Sequence, residues 1–281
     1  MAKEADRSTF VVRWLPGADR LAQAHRAAGQ QLDNLCGAHW GSILLAADGV
    51  SVDAESLAAD AGTALPAGDP YDFIPDGAQP RRDYRLPLPV ATSPEDSGTS
   101  ILGLIDAVTK ASAGARTLVP LRATWTEERV SAVLRLCREQ PGWGAVPLAN
   151  IRTGNLWGSR LPLADVLAWL AGSEVLPPPS DWDVGHFVTI AGTLEGSARS
   201  FLVVRDSYPA FGWDAHHLQP PEAMAAALER GDGREGGIAL YVAQDDRPDV
   251  ERAAKDSGFE IGGWDNGTPW PPGRDEGGTD R

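Results

Sequence analysis

Three side chains in this sequence can together perform acyl chemistry: the thiol of Cys36, the imidazole of His186 and the carboxylate of Asp206. A thiol nucleophile, a base that takes its proton and a carboxylate that orients the base are the parts of a nucleophilic acyl-transfer site. Each part needs an element to hold it. Cys36 follows Gln30, Gln31, Asp33 and Asn34 and opens an apolar pattern that predicts a helix from about Leu35 to Ala47. Asp33 or Asn34 is its expected cap, and Asp48-Gly49 its stop. Cys36, Trp40, Ile43, Leu44 and Ala47 share one face of that helix. A cysteine in a first turn sees the positive end of the helix dipole and unpaired backbone N–H groups, which favour thiolate over thiol. The Cys36 N–H and the side-chain amide of Gln30 or Gln31 are candidate donors to an oxyanion.

The base and the carboxylate fall on one predicted hairpin. His186 starts the apolar run to Gly192, and Asp206 closes the run that begins at Ser200. Leu194–Ala198 separates the two runs, with Gly196 at the expected turn. His186 and Asp206 are equidistant from Gly196, so a symmetric register sets them directly opposite, with Cβ atoms about 5 Å apart. One ring nitrogen then meets the carboxylate and the other is left for the nucleophile. A slip of one residue sends Asp206 to the other face.

The Gln30-x5-Cys36-Gly37 spacing, with Trp40 close behind, resembles papain-like cysteine peptidases. The runs His186-Phe187-Val188-x-Ile190-Ala191-Gly192 and Val204-x-Asp206-x-x-Pro209 are similar, more specifically, to the double-glycine-leader (bacteriocin-processing) peptidases. The resemblance implies a papain-like α+β fold, in which a central helix carrying the cysteine packs on an antiparallel sheet carrying the histidine and aspartate. It implies Cys36 as nucleophile, His186 as base, Asp206 as orienter and Gln30 as oxyanion donor, with Gln31 a rival for the last role. The implied function is a cysteine peptidase-like hydrolase that cleaves a peptide or amide bond of a peptide or small protein, without a cofactor. An acyl transferase or cyclase using the same thiol, or a non-catalytic peptide-binding protein on the same scaffold, are the alternatives. The chain departs from that family in placing Leu35 where an acidic residue is usual, and in a much longer interval between cysteine and histidine.

The rest of the chain must supply the frame. With 281 residues, 42% of them hydrophobic, it can bury one large core. Residues 1–244 read as the catalytic domain, with 84–172 as a large α/β insertion. Within that insertion helices are expected over 99–111, 127–139 and between Pro162 and Gly172, and strands over 117–121 and 145–151. A helix over 222–230 and a strand over 237–243 follow. Residues 1–17 carry no clear element, and 64–98 read as a long Pro- and Gly-rich loop. The charged, Gly- and Pro-rich stretch 245–281 is expected to be a disordered, passive tail, Trp264 and Trp270 included.

Several functions are disfavoured by composition. A net charge of -14 argues against nucleic acid and anionic membranes as partners. No apolar run approaches the ~18 residues of a membrane span, and the first residues lack the apolar region of a secretory leader. The cytoplasm is therefore the expected location. Two cysteines make no disulfide framework, and Cys137 shares a helical stripe with Val130, Val133 and Leu134, which marks it as core. His216 and His217 are adjacent and point apart on a strand, and no metal-ligand spacing occurs, so no metal is assigned. His39, one turn after Cys36, reads as rim. Trp182 and Trp213, in loops near the hairpin, are the expected substrate-groove residues together with Gln31.

Overall fold

Apolar runs that would be odd in a half-exposed sheet become natural once both faces are covered. The computed structural model describes residues 10–68 and 74–269. It has an α+β architecture: one open sheet of eight strands with helices on both sides. The strands are β1 (Val11–Trp14), β2 (Arg116–Arg122), β3 (Val146–Arg152), β4 (Gly185–Glu195), β5 (Ser200–Arg205), β6 (His216–Gln219), β7 (Gly237–Ala243) and β8 (Glu260–Ile261). Their order is β6-β5-β4-β3-β7-β2-β8, with β1 paired to the far half of β4, and every ladder is antiparallel.

Successive residues of the central strands feed two different cores. Leu118, Leu148, Ala239 and Tyr241 face one layer, while Val119, Leu121, Ala149, Ile151, Ile238, Leu240 and Val242 face the other. The first layer is built from α1 (Ala18–Ala28), α2 (Cys36–Ala47), α3 (Ala54–Asp60) and α4 (Ile101–Ala111). The second is built from α5 (Glu127–Glu139), α7 (Pro221–Glu229) and α8 (Arg247–Asp256). α6 (Leu163–Leu170) closes a third cluster against β5, with Trp157, Trp169 and Phe201 in mutual contact. α2 is buried continuously from Gly37 to Leu45 because helices, sheet and loop enclose it on all sides. It is the helix whose first residue is Cys36.

Four expectations change. The symmetric hairpin register gives way to one in which Glu195 pairs with Ser200 and Thr189 with Arg205, interrupted by a bulge between Ile190 and Gly192. His186 and Asp206 are therefore not a ladder pair. Residues 84–172 do not stand apart: their strand β3 lies between β4 and β7, and their strand β2 between β7 and β8. The stretch expected to be a disordered tail carries α8 and β8, and Trp264 in it is fully buried against β7. Residues 270–281, with Trp270, lie outside the described residues. Finally, β1 appears where no element is expected. β1 is exposed at every position, and β6 carries the paired histidines.

Candidate functional site

The cysteine is placed by a helix start that no side chain caps. Leu35 takes the cap position without a side-chain bond, and Asn34 before it adopts a left-handed conformation (φ 63°), which asparagine tolerates. Asp33, an expected cap, is instead buried and committed elsewhere. It accepts the Arg81 N–H (3.1 Å) and lies 3.4 Å from the Arg82 guanidinium. Its N–H donates to the Arg81 carbonyl (2.8 Å), and the Tyr84 hydroxyl donates to its carbonyl (2.7 Å). The loop 30–35 is thus strapped by residues 79–84, and the first turn of α2 is left without a side-chain cap at the end that bears Cys36.

Two contacts then fix α2 against the strand that bears the histidine. The Trp40 indole donates to the Phe187 carbonyl (3.0 Å), one residue beyond His186. At Gly37, a Cβ would stand 3.0 Å from the Thr99 Cβ and 3.2 Å from the Phe187 ring, so glycine lets helix and strand approach. Cys36 is half-buried and lines a cleft of about 470 Å³, whose walls also include Thr99, Asn150, Phe187 and Arg230. A larger cavity of about 840 Å³ between α1, α2 and α3 does not reach Cys36.

His186, buried near the start of β4, joins the two remaining parts. Its Nε2 lies 3.2 Å from Asp206 Oδ1, and the ring also hydrogen-bonds the Cys36 sulfur. With Nε2 committed to the carboxylate, Nδ1 is the nitrogen left for sulfur. The contact survives the altered register because Asp206 lies just past the end of β5. There its N–H donates to the Ala215 carbonyl (2.8 Å), and Oδ1 accepts the Tyr208 N–H (2.9 Å) in an Asx-turn. Burial alone pulls the His186 ring down, but Asp206, and after it Cys36, outweigh burial and raise it to about 10. Burial pushes the Asp206 carboxyl up, yet the charge and hydrogen bond of His186, with help from His217 and the Tyr208 N–H, hold it below the usual carboxylate range. The Trp182 ring stands edge-on to His186 at 4.9 Å and to Tyr208 at 5.4 Å, shielding the imidazole.

The two glutamines part company. Gln30 turns to the strap, where its amide donates to the Gln79 carbonyl (2.6 Å), and it lines the larger cavity rather than the cleft. Neighbours in an extended loop point in opposite directions, and Gln31 is accordingly buried against the segment after Asp206. Its Oε1 accepts the Ser207 hydroxyl (2.6 Å) and its Nε2 donates to the Tyr208 oxygen (3.1 Å). Ser207 Oγ also stands 3.4 Å from His186 Nε2. The structure thus brings together Cys36, His186, Asp206, Gln31 and Trp182, and not Gln30.

Trp213 also stands away from the cleft, 55% exposed on a tight bend closed by its bridge to His216. His39 is not a rim residue: it is buried, with Nε2 on the Gly29 carbonyl (3.1 Å). Ser207 and Tyr208 escape a reading of the sequence. Only their adjacency to Asp206 marks them there.

His216 contacts Arg205 and His217 contacts Gln219. Among the described residues no cluster of three or more His, Cys, Asp or Glu is placed to hold a metal ion, and no helix is long and apolar enough to cross a membrane. Over residues 15–265 the sequence matches a family of unknown function (DUF6885). No curated protein matches it.

Proposed function

The chain belongs to this family of unknown function, DUF6885, and from its own geometry we propose that it is a papain-like cysteine peptidase, a thiol hydrolase acting on peptide or amide bonds. The observation that carries the reading is one buried imidazole held between a carboxylate and a thiol, with the thiol at an uncapped helix start that lines an open cleft. Asp206 keeps the ring charged beside sulfur, the pairing that makes a thiol nucleophilic.

In the reaction, Cys36 Sγ attacks the substrate carbonyl carbon. The Cys36 N–H, at the start of α2, donates to the oxyanion. The His186 imidazolium passes its proton to the leaving amine as the C–N bond breaks, leaving a thioester on Cys36. Water, deprotonated by His186, then attacks the thioester and restores the thiol. Asp206 orients the ring through both halves, and Trp182 keeps bulk water from the His186–Asp206 bond. Peptides or small proteins are the substrate class, since the cleft is open and its walls mix polar side chains such as Asn150 and Arg230 with the apolar Phe187.

The test is incubation with a mixed peptide library, read by mass. Hydrolysis adds one water to the summed fragments and is lost in Cys36→Ala and His186→Ala. Turnover that survives Cys36→Ala refutes the reading. A new amide in place of the added water makes the protein a transferase on the same thioester.

A further inference from the structure

Asp206 faces a second histidine. His217, on β6, is buried, and its Nε2 lies 4.0 Å from Asp206 Oδ2, the carboxylate oxygen that His186 does not use. That nitrogen has no hydrogen-bond partner among the described residues although it is buried.

Which nitrogen of His217 carries the proton follows from its other side. Gln219 is fully buried, and both ends of its amide meet the backbone of one residue: Oε1 accepts the Trp157 N–H (2.8 Å) and Nε2 donates to the Trp157 carbonyl (2.7 Å). A peptide N–H needs an acceptor and a peptide C=O needs a donor, so the amide has one orientation. Its Nε2 also lies 2.9 Å from His217 Nδ1. A donor there requires an unprotonated Nδ1, and the neutral ring then carries its proton on Nε2, facing Asp206. Burial keeps this ring neutral, its value lowered despite the pull of Asp206 and Asp181. The other titratable groups near Asp206 are His186, His25 and Tyr208.

We propose that His217 is a positioning residue of the Cys36 site: its Nε2–H, set by Gln219 and the Trp157 backbone, holds the Asp206 carboxylate from the side opposite His186. At 4.0 Å the pair stands just beyond hydrogen-bonding distance, and closing the gap breaks no hydrogen bond of His217 Nε2 among the described residues. A carboxylate gripped from both sides keeps its charge and its rotamer while His186 moves its proton between sulfur and substrate. The role deepens the thiol-hydrolase reading and rests on it.

The experiment is nitrogen-proton correlation spectroscopy of the histidine rings in the full-length protein, followed through a pH titration. The expected wild-type result is a neutral His217 with Nε2 protonated. His217→Phe removes the donor and lowers the titration of His186 by about one pH unit, a tenfold change in its proton affinity. His217→Gln, whose amide N–H reaches the same place, restores it. A wild-type His217 protonated on Nδ1 overturns the proposal, whether or not the variants fold. So does a His186 titration that His217→Phe leaves in place. Neither readout needs turnover, so expected spectra from a protein that cleaves no peptide would sink the hydrolase reading alone.

Discussion

Replacing Asp206 with asparagine removes one charge and puts an amide NH2 in place of Oδ2, the oxygen that faces His217. The oxygen of the new side chain can still accept from His186 Nε2 and from the Tyr208 N–H, so the ring should stay in place. What changes is the balance on the imidazole. In the native site burial is the largest influence and acts downward, and Asp206 is the largest upward one, ahead of Cys36. Without the carboxylate only Cys36 is left to oppose burial, and the ring should fall well below about 10. Stability should follow. A ring whose value is raised on folding stabilises the fold fully below 6.5, and that stabilisation fades as pH rises to about 10. The native protein should therefore lose ~1.4 kcal/mol per pH unit from this group across that window, and Asp206→Asn should not. Histidine-ring spectroscopy gives the first quantity and urea unfolding at pH 6, 8 and 10 the second. An asparagine variant whose His186 still titrates near 10 refutes the assignment of the charge to Asp206.

Other consequences are simpler to measure. Cys137 is fully buried, and burial pushes its thiol up to about 12; a thiol reagent at pH 8 should count one cysteine in the native protein and two in denaturant, and two fast thiols in the native state would contradict the packing. Burial, reinforced by Arg205 for His25 and by His25 for His39, lowers these two rings to about 4 and about 3. Both fold neutral, so the stability they confer is present above pH 6.5 and is lost as pH falls toward 4. Each contributes a slope of up to ~1.4 kcal/mol per pH unit, and a urea midpoint constant from pH 7 to 4.5 would refute this. Trp264→Ala empties a site whose ring fills the space a Gly237 Cβ would take. It should destabilise by ~3–5 kcal/mol, whereas a loss under about 1 kcal/mol in thermal unfolding would mean that residues past 245 are indeed a passive tail.

The fold is most legible in the sequence where local signals and tertiary packing agree. The helix over 127–139 has a stripe of Val130, Val133, Leu134 and Cys137 that is buried as the spacing expects, although Thr126, whose hydroxyl accepts the Arg129 N–H, caps it in place of the Thr124 that a capping box with Glu127 suggests. The run Gly237–Ala243 is bounded by glycine and apolar throughout because both of its faces are covered. Legibility fails where the deciding partner is distant. The exposed β1 has no alternation to read, since among the described residues it pairs with β4 alone. Composition hides α8 and Trp264: a polar stretch reads as tail although Val250 and Ala254 make a buried stripe and one tryptophan fills a pocket. The bulge after Ile190 leaves no mark in the residue pattern, yet Asp206 reaches His186 because an Asx-turn, not the ladder, aims it. Spacing alone favours Gln30, and the strap at 79–84, remote in sequence, is what turns Gln30 away and Gln31 inward.

The most direct test of the central claim is the rate at which iodoacetamide alkylates Cys36 between pH 5 and 9, in the native protein and in His186→Ala. At pH 6 an ordinary thiol is only ~0.3% ionised. Native Cys36 should be alkylated fast at that pH, and removal of His186 should collapse the rate to the profile of an ordinary thiol. A native Cys36 that already follows the ordinary profile, unchanged in His186→Ala, would contradict an activated thiol–imidazole pair.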